Sequence, residues 1–292
     1  MLVEVVPELV HVTTPAGSHA RLATDALEAG AHVLVEKPIT PGLAEMETLL
    51  ELAARRGRLL VEDHNYLFNR PVARLLEMQA SGELGEVVHV HVSFHLAILA
   101  PGSRYVDPNV PHPSVNGPGG AIADFVTHLA YLALAFTGPS RGLDVRWKKR
   151  APSPLPADEF RALLEGERAS ALLEFSSHAQ PDGFWLEVHG TKLRARAGLF
   201  EPLLALERVR PGARPLQPVK NGLALALAHA RAGLGGLKQK LSGRPVSYEG
   251  LYELVRRTVA AVRTSSRPPV EPAAIRAANR LVADLLRTEK AA

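Results

Sequence analysis

Over the first seventy residues, short apolar runs alternate with amphipathic segments, the pattern of parallel strands covered by helices. Leu9 to Thr13 is expected as a strand. A helix should follow from an N-cap at Ser18 to Ala29, with Gly30 placed to end it in the left-handed region. Val33-Leu34-Val35 is apolar on both sides, as a buried parallel strand is. Thr40 and Pro41 supply an N-cap and an N1 proline for a helix with Leu43, Met46, Leu49, Leu50 and Ala53 on one face and Gly57 at its end. Leu59-Leu60-Val61 makes a third strand, and the pieces together form βαβαβ, half of a doubly wound fold.

The pattern changes after Pro71. One short helix leads into Val88, Val90, Val92, Phe94 and Leu96, an alternation that buries one face of a long strand. The Pro- and Gly-rich stretch from Ala97 to Gly120 is longer than a connector needs and is expected to touch substrate. A helical run from Ala121 to Phe136 precedes five alternating segments: Leu143–Lys149, Phe160–Leu164, Ala171–Ser176, Phe184–Val188 and Leu193–Ala197. The remainder is expected to be helical, with one stripe of Leu251, Leu254, Val255, Val259 and Val262 and another of Ile275, Leu281, Val282 and Leu285. The expected fold is α/β: a truncated doubly wound Rossmann domain over residues 1–70, then an α+β domain over 71–292 with a mainly antiparallel open sheet that pairs subunits.

Composition narrows the function. With no cysteine in 292 residues, disulfides, zinc-thiolate centres and a cysteine nucleophile are excluded, which fits a reducing, cytoplasmic setting. No basic-then-apolar leader opens the sequence, and no run reaches the roughly 18 apolar residues of a membrane span, so no membrane partner is expected. The net charge of +4 raises the question of nucleic acid. The densest basic run, Arg146 to Arg150, is short, and the other cations are interspersed with carboxylates, so no nucleic-acid partner is expected.

Three constellations could carry chemistry. Glu36-Lys37-Pro38 sits at the C-terminal end of a parallel strand, where open α/β sheets hold their ligands; Lys37 offers a cation with three donors, and Pro38 fixes its direction. Taken alone, the tripeptide reads more readily as a strand end with a solvent lysine and a turn proline. Asp124 and His128 lie one helical turn apart, so the carboxylate could orient the imidazole and raise its pKa, an acid/base pair or an ordinary helix pair. Gly117-Pro118-Gly119-Gly120 before them would let backbone approach a ligand. His89, His91 and His95 share the polar face of the long strand, which admits a metal-dependent hydrolase using His89 and His91 with Asp124 or His128.

Val10-His11-Val12-Thr13-Thr14-Pro15, then Ser18-His19, then the run from Ala26-Leu27-Glu28-Ala29-Gly30 to Glu36-Lys37-Pro38 closely resemble the Gfo/Idh/MocA oxidoreductase family. The likeness continues through Ser81 to Val87, Gly119-Gly120 with Asp124 and His128, and Tyr252 to Arg267 before Pro268-Pro269. The resemblance implies hydride transfer between NAD or NADP and a carbinol or carbonyl carbon of a sugar, polyol or related small molecule, by a homodimer or homotetramer. It implies that Lys37 binds the substrate hydroxyl, His128 exchanges its proton and Asp124 supports it. Thr13, Thr14, Pro15, His19, Glu36, Lys37 and Pro38 would line the cofactor, with Asn65 and Tyr66 facing the substrate. The family's opening strand and Gly-x-Gly-x-x-Gly turn have no counterpart in this sequence. The expectation is therefore a chain lacking its first βαβ unit, through a late start, a truncated gene, or conversion to a non-catalytic binding or dimerisation protein.

Overall fold

The computed structural model describes residues 2–107, 109, 112, 115, 120–150, 152–153, 155–201, 203–209, 215–241 and 248–287. After a single-turn helix α1 (Leu2–Val5), the chain forms β1 (Leu9–Val12), α2 (His19–Glu28), β2 (His32–Val35), α3 (Leu43–Arg56) and β3 (Leu60–Glu62). The three strands pair in parallel in the order β1-β2-β3, as the period of the sequence predicts. Gly30 (φ 85°) and Gly57 (φ 62°) take the left-handed conformation that ends the helices before them. The start of α3 differs from expectation: Gly42 is the N-cap, and the Thr40 hydroxyl donates to Gly42 O at 2.7 Å instead of capping a helix. Ser18 likewise does not cap with its side chain, because its hydroxyl is spent on Pro15 O and Thr14 within the turn Ala16–Ser18.

α4 (Arg70–Ala80) leads to β4 (Val87–His95), α5 (Ala123–Thr137), β5 (Ser140–Lys148), β6 (Glu159–Gly166), β7 (Ser170–Ser176), β8 (Gly183–Gly190), β9 (Leu193–Gly198) and β10 (Leu204–Arg208). These make a seven-stranded sheet in the order β10-β9-β8-β4-β7-β6-β5. It is antiparallel except at its centre, where β4 and β7 run parallel. An irregularity between Val87 and His89 takes Val88 out of the predicted phase, leaving it 55% exposed, while Val90, Val92 and Phe94 face the core. Three helices follow: α6 (Gln217–Leu241), α7 (Glu249–Thr264) and α8 (Pro272–Arg287).

Two apolar clusters fix the site between them. The larger one buries α5 against β4, β6, β7 and β8, with Phe94, Phe125, Phe175 and Phe184 at its centre. α5 and the turn before it are apolar and long enough to cross a bilayer, but 78% of that segment is buried in this core. The smaller cluster joins the three-stranded sheet to α2 and α3, and also takes in Leu254 of α7 and Ile275 of α8. Ala278, Leu281, Val282 and Leu285 of α8 belong to the larger cluster. α8 therefore bridges the two sheets, and the N-terminal end of α5 meets the C-terminal end of β2 where Lys37 reaches Asp124.

Candidate active site

Lys37 leaves the end of β2 through a cis peptide bond to Pro38. Its Nζ donates to Asp124 O and to Asp124 Oδ1, each at 2.6 Å, across 87 residues of sequence. The two side chains are only 12% and 23% exposed, so the ion pair is poorly screened. Burial alone would raise the Asp124 pKa, but the Lys37 ammonium and its hydrogen bond hold it below the usual carboxylate range. Tyr105, from the long loop before α5, donates to Asp124 Oδ2 at 3.3 Å, and burial with that carboxylate pushes its phenol up. Gly117, Pro118 and Gly119 lie outside the described residues.

The expected pairing of Asp124 with His128 does not occur. Lys37 and Tyr105 occupy the carboxylate, while His128 Nδ1 lies 2.9 Å from Tyr131 Oη on the next turn of α5. The His128 pKa is lowered well below 6.5, not raised, first by burial and then by the nearby Lys37 and His64. The imidazole is neutral, and its tautomer follows from hydrogen-bond accounting. Tyr66 N–H donates to Asn65 Oδ1 at 3.0 Å, which fixes that amide with its oxygen inward. Tyr131 must then give its single proton to Asn65 Oδ1, at 3.1 Å, and accept from Tyr66 N–H at 3.3 Å. The remaining lone pair can only accept, so His128 Nδ1 carries the hydrogen and Nε2 is left basic. The ring is held edge-on against Tyr66, whose centroid is 4.9 Å away and whose pKa burial pushes up to about 12. His64 stacks on the other side, against Tyr131, at 4.4 Å.

The ends of all three parallel strands meet here. Thr13, Thr14 and Pro15 are exposed after β1; Glu36, Lys37 and Pro38 are half-buried after β2. Asp63, after β3, is 3% exposed, and one of its carboxyl oxygens has no hydrogen-bond partner. Burial, then Glu36, push its pKa up to about 8. His19 is enclosed (1% exposed): its Nδ1 lies 2.9 Å from Pro38 O and its Nε2 2.5 Å from Thr14 O, so the ring ties two of the loops together. Glu62 anchors the third, accepting from Ile39 N, Asn279 Nδ2 and His64 Nε2 with no exposure of its own. Exposed threonines, a buried acid with one carboxyl oxygen free and a fixed lysine at the C-terminal ends of parallel strands fit the ribose and nicotinamide half of a dinucleotide. Thr13, Thr14, Glu36, Lys37 and Pro38 would hold it.

The strand histidines serve a different purpose. They lie on the face of β4 turned away from α5, so neither Asp124 nor His128 reaches them, which disposes of the hydrolase alternative. His89 is 2.9 Å from Ser170 Oγ, and His95 is 3.0 Å from Glu174 Oε1. Among the described residues no group of His, Cys, Asp or Glu could hold a metal. On the same face, Arg194 and Arg196 pair with Glu187. Sequence reasoning missed Tyr105, Asp63, His64 and Tyr131; the last was signalled by its helical spacing of three from His128.

Residues 1–64 match the family model of NAD-binding Rossmann-fold oxidoreductases, and residues 72–196 match the GFO/IDH/MocA C-terminal domain. The chain is 30% identical over 186 residues to the oxidoreductase YdgJ of Escherichia coli strain K12, a match covering 63% of this chain and 52% of that relative. It is 25% identical over 183 residues to the scyllo-inositol 2-dehydrogenase (NADP(+)) IolW of Bacillus subtilis strain 168, covering 63% of this chain and 49% of IolW. The chain thus spans about half the length of these curated relatives. Among solved structures, an inositol dehydrogenase homologue from Azotobacter vinelandii complexed with NADH and myo-inositol superposes with a TM-score of 0.68 at 24% identity, over 97% of this chain and 76% of that one. With residues 1–64 and 72–196 matched to two domains of the same family and its fold shared, this chain belongs to the Gfo/Idh/MocA family of NAD-binding oxidoreductases.

Proposed function

We propose that the protein moves a hydride between NAD or NADP and a hydroxyl-bearing carbon of a sugar- or polyol-type substrate. The convergence of Lys37 with Asp124 and His128 from an element 87 residues away carries this reading. The bound nicotinamide would supply the hydride acceptor or donor. Two of the three Lys37 donors are committed to Asp124, which aims the ammonium and leaves one hydrogen for the substrate oxygen. Nε2 of His128, free of its proton by the accounting above, takes the hydroxyl proton as the carbon is oxidised and returns it in the reverse direction. Asp124 acts through Lys37, not through His128. Asn65 orients Tyr131, and through it the imidazole, while Tyr66 walls the substrate side.

On this reading residues 1–70 carry the cofactor side and 71–292 the substrate side, with α8 returning to brace both. The names of IolW and of the Azotobacter homologue's ligand support a cyclic polyol as the first substrate to try. Steady-state turnover over a panel of inositols, sugars and their keto forms with NAD and NADP tests the proposal. His128→Ala should lower kcat by about 10²- to 10⁴-fold, as loss of a general acid/base does. Unchanged kcat in that variant would remove His128 from the reaction.

A further inference from the structure

α6 is apolar on two opposite faces. Leu225, Ala228 and Ala232 close over Leu203 and Ala205 at the β10 edge of the large sheet. The outward face carries Val219, Leu223, Leu227, Leu234 and Leu237, which are 58%, 67%, 50%, 70% and 56% exposed. At helical spacing these five fall within an arc of about 80° along about 27 Å of the helix. Scattered exposed leucines need no explanation, but an aligned row of this length marks a contact surface.

The charge of the same helix says what it contacts. None of its 25 residues is Asp or Glu, while Lys220 and Arg231 are cationic. Lys220 and Arg231 are exposed and border the stripe about 20–40° beyond Leu227. A second copy fits this surface poorly, because two such helices laid together juxtapose like charges with no carboxylate in either to offset them. An anionic bilayer fits it well: leucines enter the headgroup boundary while bordering cations meet lipid phosphates. A helix lying in the interface needs no spanning run, so the absence of a long apolar run in the sequence does not bear on this contact.

We propose that α6 docks this protein on an anionic bilayer surface, with the Val219–Leu237 stripe as its apolar contact. The test is co-sedimentation of the 292-residue chain with vesicles of phosphatidylcholine alone or with about a third phosphatidylglycerol added. Binding is expected only to the anionic vesicles and should weaken as salt is raised from about 0.1 to 0.5 M. Two variants probe the two halves of the surface: L223Q/L227Q/L234Q and K220E/R231E. Each should lower vesicle affinity by about tenfold or more while leaving the urea midpoint unchanged, since the altered side chains are exposed. Absence of binding, or equal binding to neutral and anionic vesicles, would overturn the proposal. So would a lipid-free dimer in sedimentation velocity that L223Q/L227Q/L234Q abolishes, which would assign the stripe to a second copy.

Discussion

Replacing Tyr131 by Phe removes one oxygen from the centre of the site and leaves the ring packing against His64 in place. That oxygen accepts from Tyr66 N–H and His128 Nδ1–H and donates to Asn65 Oδ1. Tyr66 N–H keeps its second acceptor, Asn65 Oδ1, so the group left stranded is His128 Nδ1–H in a buried ring. An unsatisfied buried donor costs about 1–3 kcal/mol, and that is the expected loss of stability in urea. The imidazole can escape part of this cost by moving its hydrogen to Nε2, the tautomer that free histidine favours. A penalty of about 1.4 kcal/mol shifts the tautomer ratio about tenfold, and each His128 in the wrong tautomer cannot accept a proton at Nε2. Turnover should therefore fall about 10- to 100-fold with little change in KM, because Tyr131 positions the base without touching substrate. Nitrogen-15 NMR of histidine-labelled protein, with the His128 signals assigned by His128→Gln, reads the tautomer directly. A Tyr131→Phe protein that keeps Nε2 unprotonated and retains full kcat would refute the hydrogen-bond accounting.

Other consequences follow from neighbouring residues. His19→Ala leaves Thr14 O and Pro38 O without their shared partner and should cost about 2–4 kcal/mol, measured by chemical denaturation, while raising the KM for cofactor. Asp63 has its folded pKa raised to about 8 from 3.8, so the folded state binds this proton more tightly and stability should fall as pH rises from about 4 to about 8. Asp63→Asn should flatten that slope and leave the protein more stable than wild type at pH 8; an unchanged slope in urea titrations would remove Asp63 as its source. At Gly250 of α7, an added Cβ would run into Asn65 O and Asn69 Oδ1. Gly250→Ala should therefore destabilise by about 1–3 kcal/mol and lower activity through a displaced Asn65, whereas Leu251→Ala on the same helix should lower stability with smaller effect on activity.

Much of the scaffold is legible in the residue pattern because it is set by local periodicity. β1, β2 and β3 follow from short apolar runs, and Gly30 and Gly57 end helices where a left-handed residue is required. Val88 breaks its predicted phase because a bulge is invisible to a count of alternating residues. The parallel pairing of β4 with β7 depends on a crossover spanning α5, β5 and β6, which no local pattern encodes. The tenth strand and the doubly apolar α6 were also not separable from the helical remainder, since a strand of five residues and a helix with two apolar faces give weak periodic signals. The site shows the same division. Lys37, Asp124 and His128 stand out as residue types at telling positions, but the choice of partner is a tertiary matter. Asp124 goes to Lys37 and Tyr105, and His128 to Tyr131, so the pKa of the histidine moves in the direction opposite to the one its neighbour in sequence suggests.

Nicotinamide reduction by the protein, followed spectroscopically with NAD and NADP across inositols, sugars and other polyols, tests the central assignment most directly when wild type is run beside Lys37→Ala. Saturable turnover with at least one cyclic polyol or sugar is expected, with a loss of about 10²-fold or more in kcat/KM without Lys37. Equal turnover by Lys37→Ala, or none by wild type with any member of the panel, would contradict that assignment.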